Sequence, residues 1–223
     1  MSTIVVIAPH PDDETLGCGG TLLRHKAQND SIHWLIMTSM SEKGGYSSKK
    51  IKQRSVEIST VANEYSFDSV HQAEFDSSRL DLVPKVDLIN EIASFLNIIK
   101  PDTIYLPYRN DAHSDHKIVF DAAAACTKSF RFPFLNKIRA YETLSETEFA
   151  LSCEDRGFHP NLFINISQFL DHKIEIMELY HGEMGDHPFP RSAINIRSLA
   201  VLRGATSGCN YAESFMSLKE ILH

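Results

Sequence analysis

The chain alternates short runs that are apolar at every position with longer stretches whose apolar residues recur every three or four positions. TIVVIA (3–8) is β-branched and apolar throughout, the pattern of a strand buried on both faces. A helix is expected over 13–29, a second strand over 32–39 (IHWLIMTS), and a polar, glycine-containing loop over 41–50. The spacing predicts a helix over 51–65 with Val56, Ile58, Val61 and Ala62 on its inner face. A short strand at 69–75 and the loop DSSRLD precede a strongly periodic helix at 86–100, which Pro101 ends. DTIYLPY (102–108) reads as another strand, RNDAHSDH (109–116) as a polar loop, and 117–129 as a helix starting near Ser114. Strands at 138–144 and 161–167, helices at 168–181 and 192–204, and the connection HGEMGDHPFPRS (181–192) complete the pattern. Strands alternating with amphipathic helices build βαβ units on a parallel sheet, so residues 1–223 read as one α/β domain.

At 223 residues such a domain can bury a substantial core. Lys and Arg number 22 against 29 Asp and Glu, a net charge of −7, so the footprint of a nucleic-acid binder is missing. The four cysteines (18, 126, 153, 209) form no CxxC pair. They are expected as free thiols of a reducing compartment, not as a disulfide framework or a zinc knuckle. With no 18-residue apolar run and no charged leader, a cytoplasmic protein without a membrane span is expected. A glycolipid substrate stays open.

Chemistry concentrates at two strand ends. The first strand stops at PHPDDETLGCGG, where His10, Asp12, Asp13 and Glu14 crowd together before a loose glycine cluster. A dinucleotide fingerprint fails there because Leu22 takes the place of its third glycine, and three carboxylates would repel a pyrophosphate. A cation suits the acids better. His10 and Asp13, three apart across a turn, can converge on one metal, but a stable site needs a third ligand. The other dense His/Asp cluster, HSDH (113–116), follows another strand and falls on the same sheet edge. Helix caps at Asp12, Asp13 or Ser114 account for one residue in each cluster and leave the rest unexplained.

Together, PHPDDE and HSDH resemble the PIG-L/LmbE-like family of zinc-dependent de-N-acetylases, with weaker similarity in RSVE (54–57) and NYAESF (210–215). Ser114 stands where the family usually has proline. The resemblance implies a Rossmann-like fold, a mostly parallel sheet with helices on both faces, and removal of an acyl group from an N-acylated amino sugar. It implies Zn2+ held by His10, Asp13 and His116, with Asp12 as general base, His113 facing the oxyanion and Asp115 as its neighbouring acid. The chemistry is consistent: zinc brings bound water to a pKa of about 7, Asp12 can take its proton, and a protonated His113, oriented by Asp115, can face the oxyanion. Fe2+ and other divalent ions accept the same ligands. Arg54 either contacts substrate or pairs with Glu57; Asp76 and Asp111 are further candidate substrate contacts on the same edge. His181 and His187 are expected as solvated residues of a connection that could cover the site, and Cys18 as a packing residue. The expected partner is a small N-acetyl sugar conjugate, with a cell-surface glycan or glycolipid precursor favoured. An amidase for a sugar–thiol or non-sugar conjugate, and a non-catalytic nucleotide- or metal-binding module, are the alternatives.

Overall fold

Alternate residues of the first strand serve two different cores. In β1 (Thr3–Ala8), Ile4, Val6 and Ala8 join one buried apolar cluster, and Val5 and Ile7 join another on the opposite face. This computed structural model describes residues 1–151 and 157–222, so Cys153 lies outside the described residues. After β1 come α1 (Asp13–Ala27), β2 (Ser31–Ser39), α2 (Ser48–Tyr65), β3 (Ser69–Asp76) and α3 (Lys85–Ile99). Then follow β4 (Thr103–Pro107), α4 (Ser114–Ala125), β5 (Lys137–Tyr141), β6 (Leu162–Asn165), α5 (Leu170–Glu178), α6 (Ala193–Ser207) and β7 (Ala212–Glu220). The seven strands run in the order β3-β2-β1-β4-β5-β7-β6. The first five are parallel, and β7 is antiparallel to both its neighbours. Helices α1, α2, α5 and α6 supply the core on one face, and α3 and α4 supply it on the other.

The chain winds outward from β1 to β3 and then returns across it to β4. That reversal opens a crevice at the carboxyl ends of β1 and β4, where ligands settle in open α/β sheets. Both His/Asp clusters follow these two strands directly. Strand β7 had no counterpart in the expected pattern, since only the first four residues of AESFMSLKE are buried and the rest are half-buried or exposed. Val56 also departs from expectation: it is 65% exposed, because Arg54, Glu57, Ile58, Val61 and Tyr65 form the inner stripe of α2. Cys18 and Cys126 are buried free thiols, and Cys209 is half-buried.

The glycines of α1 bring the helix down onto the sheet. A Cβ at Gly17 would stand 2.2 Å from the ring of Tyr141. That ring is fully buried, and its hydroxyl donates to the Ile7 carbonyl at 3.0 Å, so it cannot swing away. Gly17→Ala is therefore expected to cost about 1–3 kcal/mol through overpacking, read as a lower thermal midpoint; an unchanged midpoint would refute this packing argument.

Candidate active site and metal centre

Between β1 and α1 the chain passes through Pro9, His10, Pro11 and Asp12. Asp12 adopts φ +130°, a left-handed conformation that costs a non-glycine residue about 1–3 kcal/mol. The surroundings hold it there. Its N–H donates to Glu14 Oε2 at 3.1 Å, and its carbonyl accepts from Thr15 and Leu16 N–H at 3.0 and 2.9 Å. Glu14 is fully buried, where the hydroxyls of Thr15 and Tyr180 donate to it, and burial pushes its carboxyl up to about 7. It supports the turn from beneath.

The two strand ends bring three donors together. His10 Nδ1 and His116 Nε2 each lie 3.3 Å from Asp13 Oδ2. One ligand atom from each of His10, Asp13 and His116 can be chosen so that all three lie within 4.8 Å of one another. Two imidazoles and a carboxylate are the donor chemistry of a divalent centre such as zinc, and the arrangement leaves a side open to the pocket. Although burial alone would raise it, His116 and His10 hold the Asp13 carboxyl well below the usual carboxylate range. Conversely, despite their burial, Asp115 and Asp13 raise His10 to about 9, and Asp13 and Asp111 push His116 up.

The outer partners correct several expectations. The Asp115 carboxylate accepts from His10 Nε2 at 3.0 Å and from Ser78 N–H at 2.8 Å, so it orients His10 and not His113. His113 caps α4 in place of Ser114: its Nδ1 accepts the Asp115 N–H at 3.1 Å. Its proton therefore sits on Nε2, and burial and the nearby His10 charge push its pKa down. A protonated ring was expected; in this geometry Nδ1 accepts and Nε2 is left as the ring's donor. Asp111, expected to meet substrate, has a fully buried side chain that accepts from His116 Nδ1 at 2.7 Å and from Thr147 Oγ1 at 2.6 Å. Asp76, the last residue of β3, accepts from the Ser41 hydroxyl, which in turn receives Gly44 N–H at 2.9 Å. It organises the loop beside the pocket and does not line it. The Asp12 carboxylate serves no cap; burial, Asp13 and Glu183 raise its pKa.

A cavity of about 250 Å³ opens above these residues, with His10, Asp12, Asp13, His113 and His116 in its lining. Arg54 joins its wall and also pairs with Glu57 at 3.3 Å, so both expected roles are compatible with its position. Sequence reasoning missed Arg191 and Glu183. Arg191 donates to Asp12 Oδ2 at 3.1 Å and lies 3.2 Å from Glu183, which also pairs with Arg54. The connection over 181–192 thus reaches the pocket through these two charges, while His181 and His187 are exposed. Thr143, Ser145 and Glu146, beyond β5, were also unforeseen in the lining. None of the five carries a spacing that marks it in sequence.

Comparison with known proteins places this geometry in a family. The chain is 23% identical, over 96% of its length and 82% of the relative's, to diacetylchitobiose deacetylase of Thermococcus kodakarensis. Among solved structures, the conserved protein TT1542 of Thermus thermophilus superposes with a TM-score of 0.79 at 24% identity, covering 100% of this chain and 97% of that one. The hydratase GalB of Pseudomonas putida, which acts on 4-carboxy-2-hydroxymuconate, superposes at 0.75 and 17% identity, covering 100% and 98%. The fold by itself therefore does not decide the reaction. The family match is more specific: residues 5–127, more than half the chain and including both His/Asp clusters, match the PIG-L family, GlcNAc-PI de-N-acetylase, and the chain belongs to that family.

Proposed function

We propose that this protein is a metal-dependent hydrolase that removes the acetyl group from an N-acetyl amino sugar or a conjugate of one. The convergence of His10, Asp13 and His116 in one pocket with the carboxylate of Asp12 carries the reading. A zinc or similar divalent ion held by those three residues supplies a Lewis acid and acidifies water to near neutrality. Asp12, whose buried carboxyl binds protons more tightly than usual, takes the proton of the attacking water and delivers it to the departing amine nitrogen. Arg191 fixes one oxygen of that carboxylate and leaves the other for the proton. His113 donates from Nε2 to the carbonyl oxygen as it gains charge, the kind of contact whose loss costs about 10²–10³ in rate. Asp115 and Asp111 hold the two histidine ligands in orientation, as acids behind metal-binding imidazoles do. Arg54 and Lys50, in the pocket wall, face the sugar hydroxyls. The products are acetate and a free amino sugar.

The family and the deacetylase relative support this reading, and acetate release tests it. The metal-loaded protein is to be assayed on N-acetylglucosamine, diacetylchitobiose, and lipid- and nucleotide-linked N-acetyl sugars. Acetate should appear from at least one, stop on chelation, and return when Zn2+ or Fe2+ is restored. If no member of the panel yields acetate with the metal-loaded protein, the N-acetyl sugar reading falls.

A further inference from the structure

Helix α1 is interrupted at Cys18, whose φ of −145° and ψ of 21° are not helical. The interruption separates residues 13–17, which follow Asp12 and begin with Asp13, from the rest of the helix. In an unbroken helix the Gly20 N–H would donate to the Leu16 carbonyl. Here Gly20 N–H donates to Glu213 Oε1 at 2.9 Å, and the Leu16 carbonyl accepts from Lys173 Nζ at 2.9 Å. Lys173 Nζ and Glu213 Oε1 are themselves 2.7 Å apart. An ion pair from two other elements, α5 and β7, thus bridges the two groups that one helical hydrogen bond would join. The second Glu213 oxygen takes Thr21 N–H at 2.7 Å. Both side chains are about 95% buried, at 5% and 6% exposure, a costly way to satisfy groups that a straight helix would satisfy for nothing. Gly19 keeps this approach open, since a Cβ there would lie 2.5 Å from the Tyr65 hydroxyl and 3.1 Å from Lys173 Cγ.

We propose that Glu213 and Lys173 are positioning residues that set the pose of Asp12 and Asp13 by splicing into the broken helix. The short segment cannot take its orientation from the helix beyond Cys18. Its carboxyl end is held by this pair and its amino end by the turn through Asp12. Neither residue touches the pocket's reacting groups, so the effect passes through the backbone of residues 13–21. The inference rests on the reading of His10, Asp13 and His116 as metal ligands.

The test is Zn2+ affinity, measured by competition with a chromophoric chelator on the full chain, alongside thermal midpoint and kcat and KM. Glu213→Gln strands the Lys173 charge and can fail to fold, so the paired variant Lys173→Met/Glu213→Gln, which buries no orphan charge, is the main probe. It should bind Zn2+ about tenfold or more weakly and lose kcat with KM little changed, and Lys173→Arg should recover most of both. Leu88→Ala, in the opposite core, should lower the midpoint while keeping wild-type Zn2+ affinity. Wild-type Zn2+ affinity and kcat in the paired variant would overturn the positioning role and leave only a structural pair. A wild-type chain that binds no Zn2+, Co2+ or Fe2+ would instead overturn the ligand assignment and the positioning role with it.

Discussion

Asp12→Asn should bind one metal ion per chain, melt no lower than the wild type, and lose about 10²–10⁴ in kcat. The substitution is nearly isosteric and leaves His10, Asp13 and His116 intact. Its carboxamide oxygen can still accept from Arg191, so the 181–192 connection keeps its anchor. Only the proton acceptor goes. Stability is the informative second readout. At φ +130° asparagine is tolerated better than most residues, and removing a carboxylate beside Asp13 and Glu183 relieves repulsion. A residue that weakens the fold where it stands, yet cannot be replaced without loss of turnover, is kept for its chemistry. The checks are metal analysis, a thermal melt and steady-state kinetics on one preparation. Wild-type kcat in the metal-loaded variant would remove Asp12 from the mechanism.

The convergence of His10, Asp13 and His116 was legible because these residues sit where a sequence pattern is most informative. An apolar β-branched run announces a parallel strand, ligands collect at such strand ends, and His10, Asp13 and His116 all follow two of them before or at the start of the next helix. What lies behind those residues was not legible. Whether Asp115 faces His10 or His113 depends on where Ser78, beyond β3, delivers its N–H to the carboxylate. Asp111 looked like a pocket residue by position, but its side chain turns inward to His116 and Thr147. Period alone placed Val56 inside α2, because the buried stripe is half polar: Arg54 and Glu57 occupy it to meet Glu183 and each other. Arg191 and Glu183 were invisible for a plainer reason. Their reach into the pocket comes from how a connection without periodicity folds back over the sheet edge, and no local pattern encodes that.

The second large effect is expected at His116, and it separates ligand from supporting residue. His116→Ala removes one of three donors and should weaken metal binding by more than about 100-fold, beyond what loss of an outer partner costs; activity should vanish with the metal. The variant should also destabilise the metal-free protein, because His116 is the largest single influence holding the buried Asp13 carboxyl low and is the partner of buried Asp111. The signs can be followed with pH. Asp13, with its folded pKa depressed, contributes stability that is present above about pH 4 and is lost as pH falls further. His10 and His116, with theirs raised, contribute stability that is complete below about pH 6.5 and is lost as pH climbs, for His10 through about 9. At pH 7 His10 therefore carries a proton before metal arrives, His116 is shifted in the same direction, and a ring that holds a proton on its ligand nitrogen must give it up to bind metal. Calorimetric titration in buffers of different ionisation enthalpy should find protons released on metal binding in the wild type, with apparent affinity rising with pH. Metal uptake without proton release, or wild-type affinity in His116→Ala, would show that the ion sits elsewhere. Glu14, pushed up to about 7 under the same turn, is too enclosed by Thr15 and Tyr180 to offer an alternative ligand; the second cluster, His10, His113 and Asp115, shares only His10 with the first, so an ion retained there in His116→Ala would lose its affinity on His113→Ala.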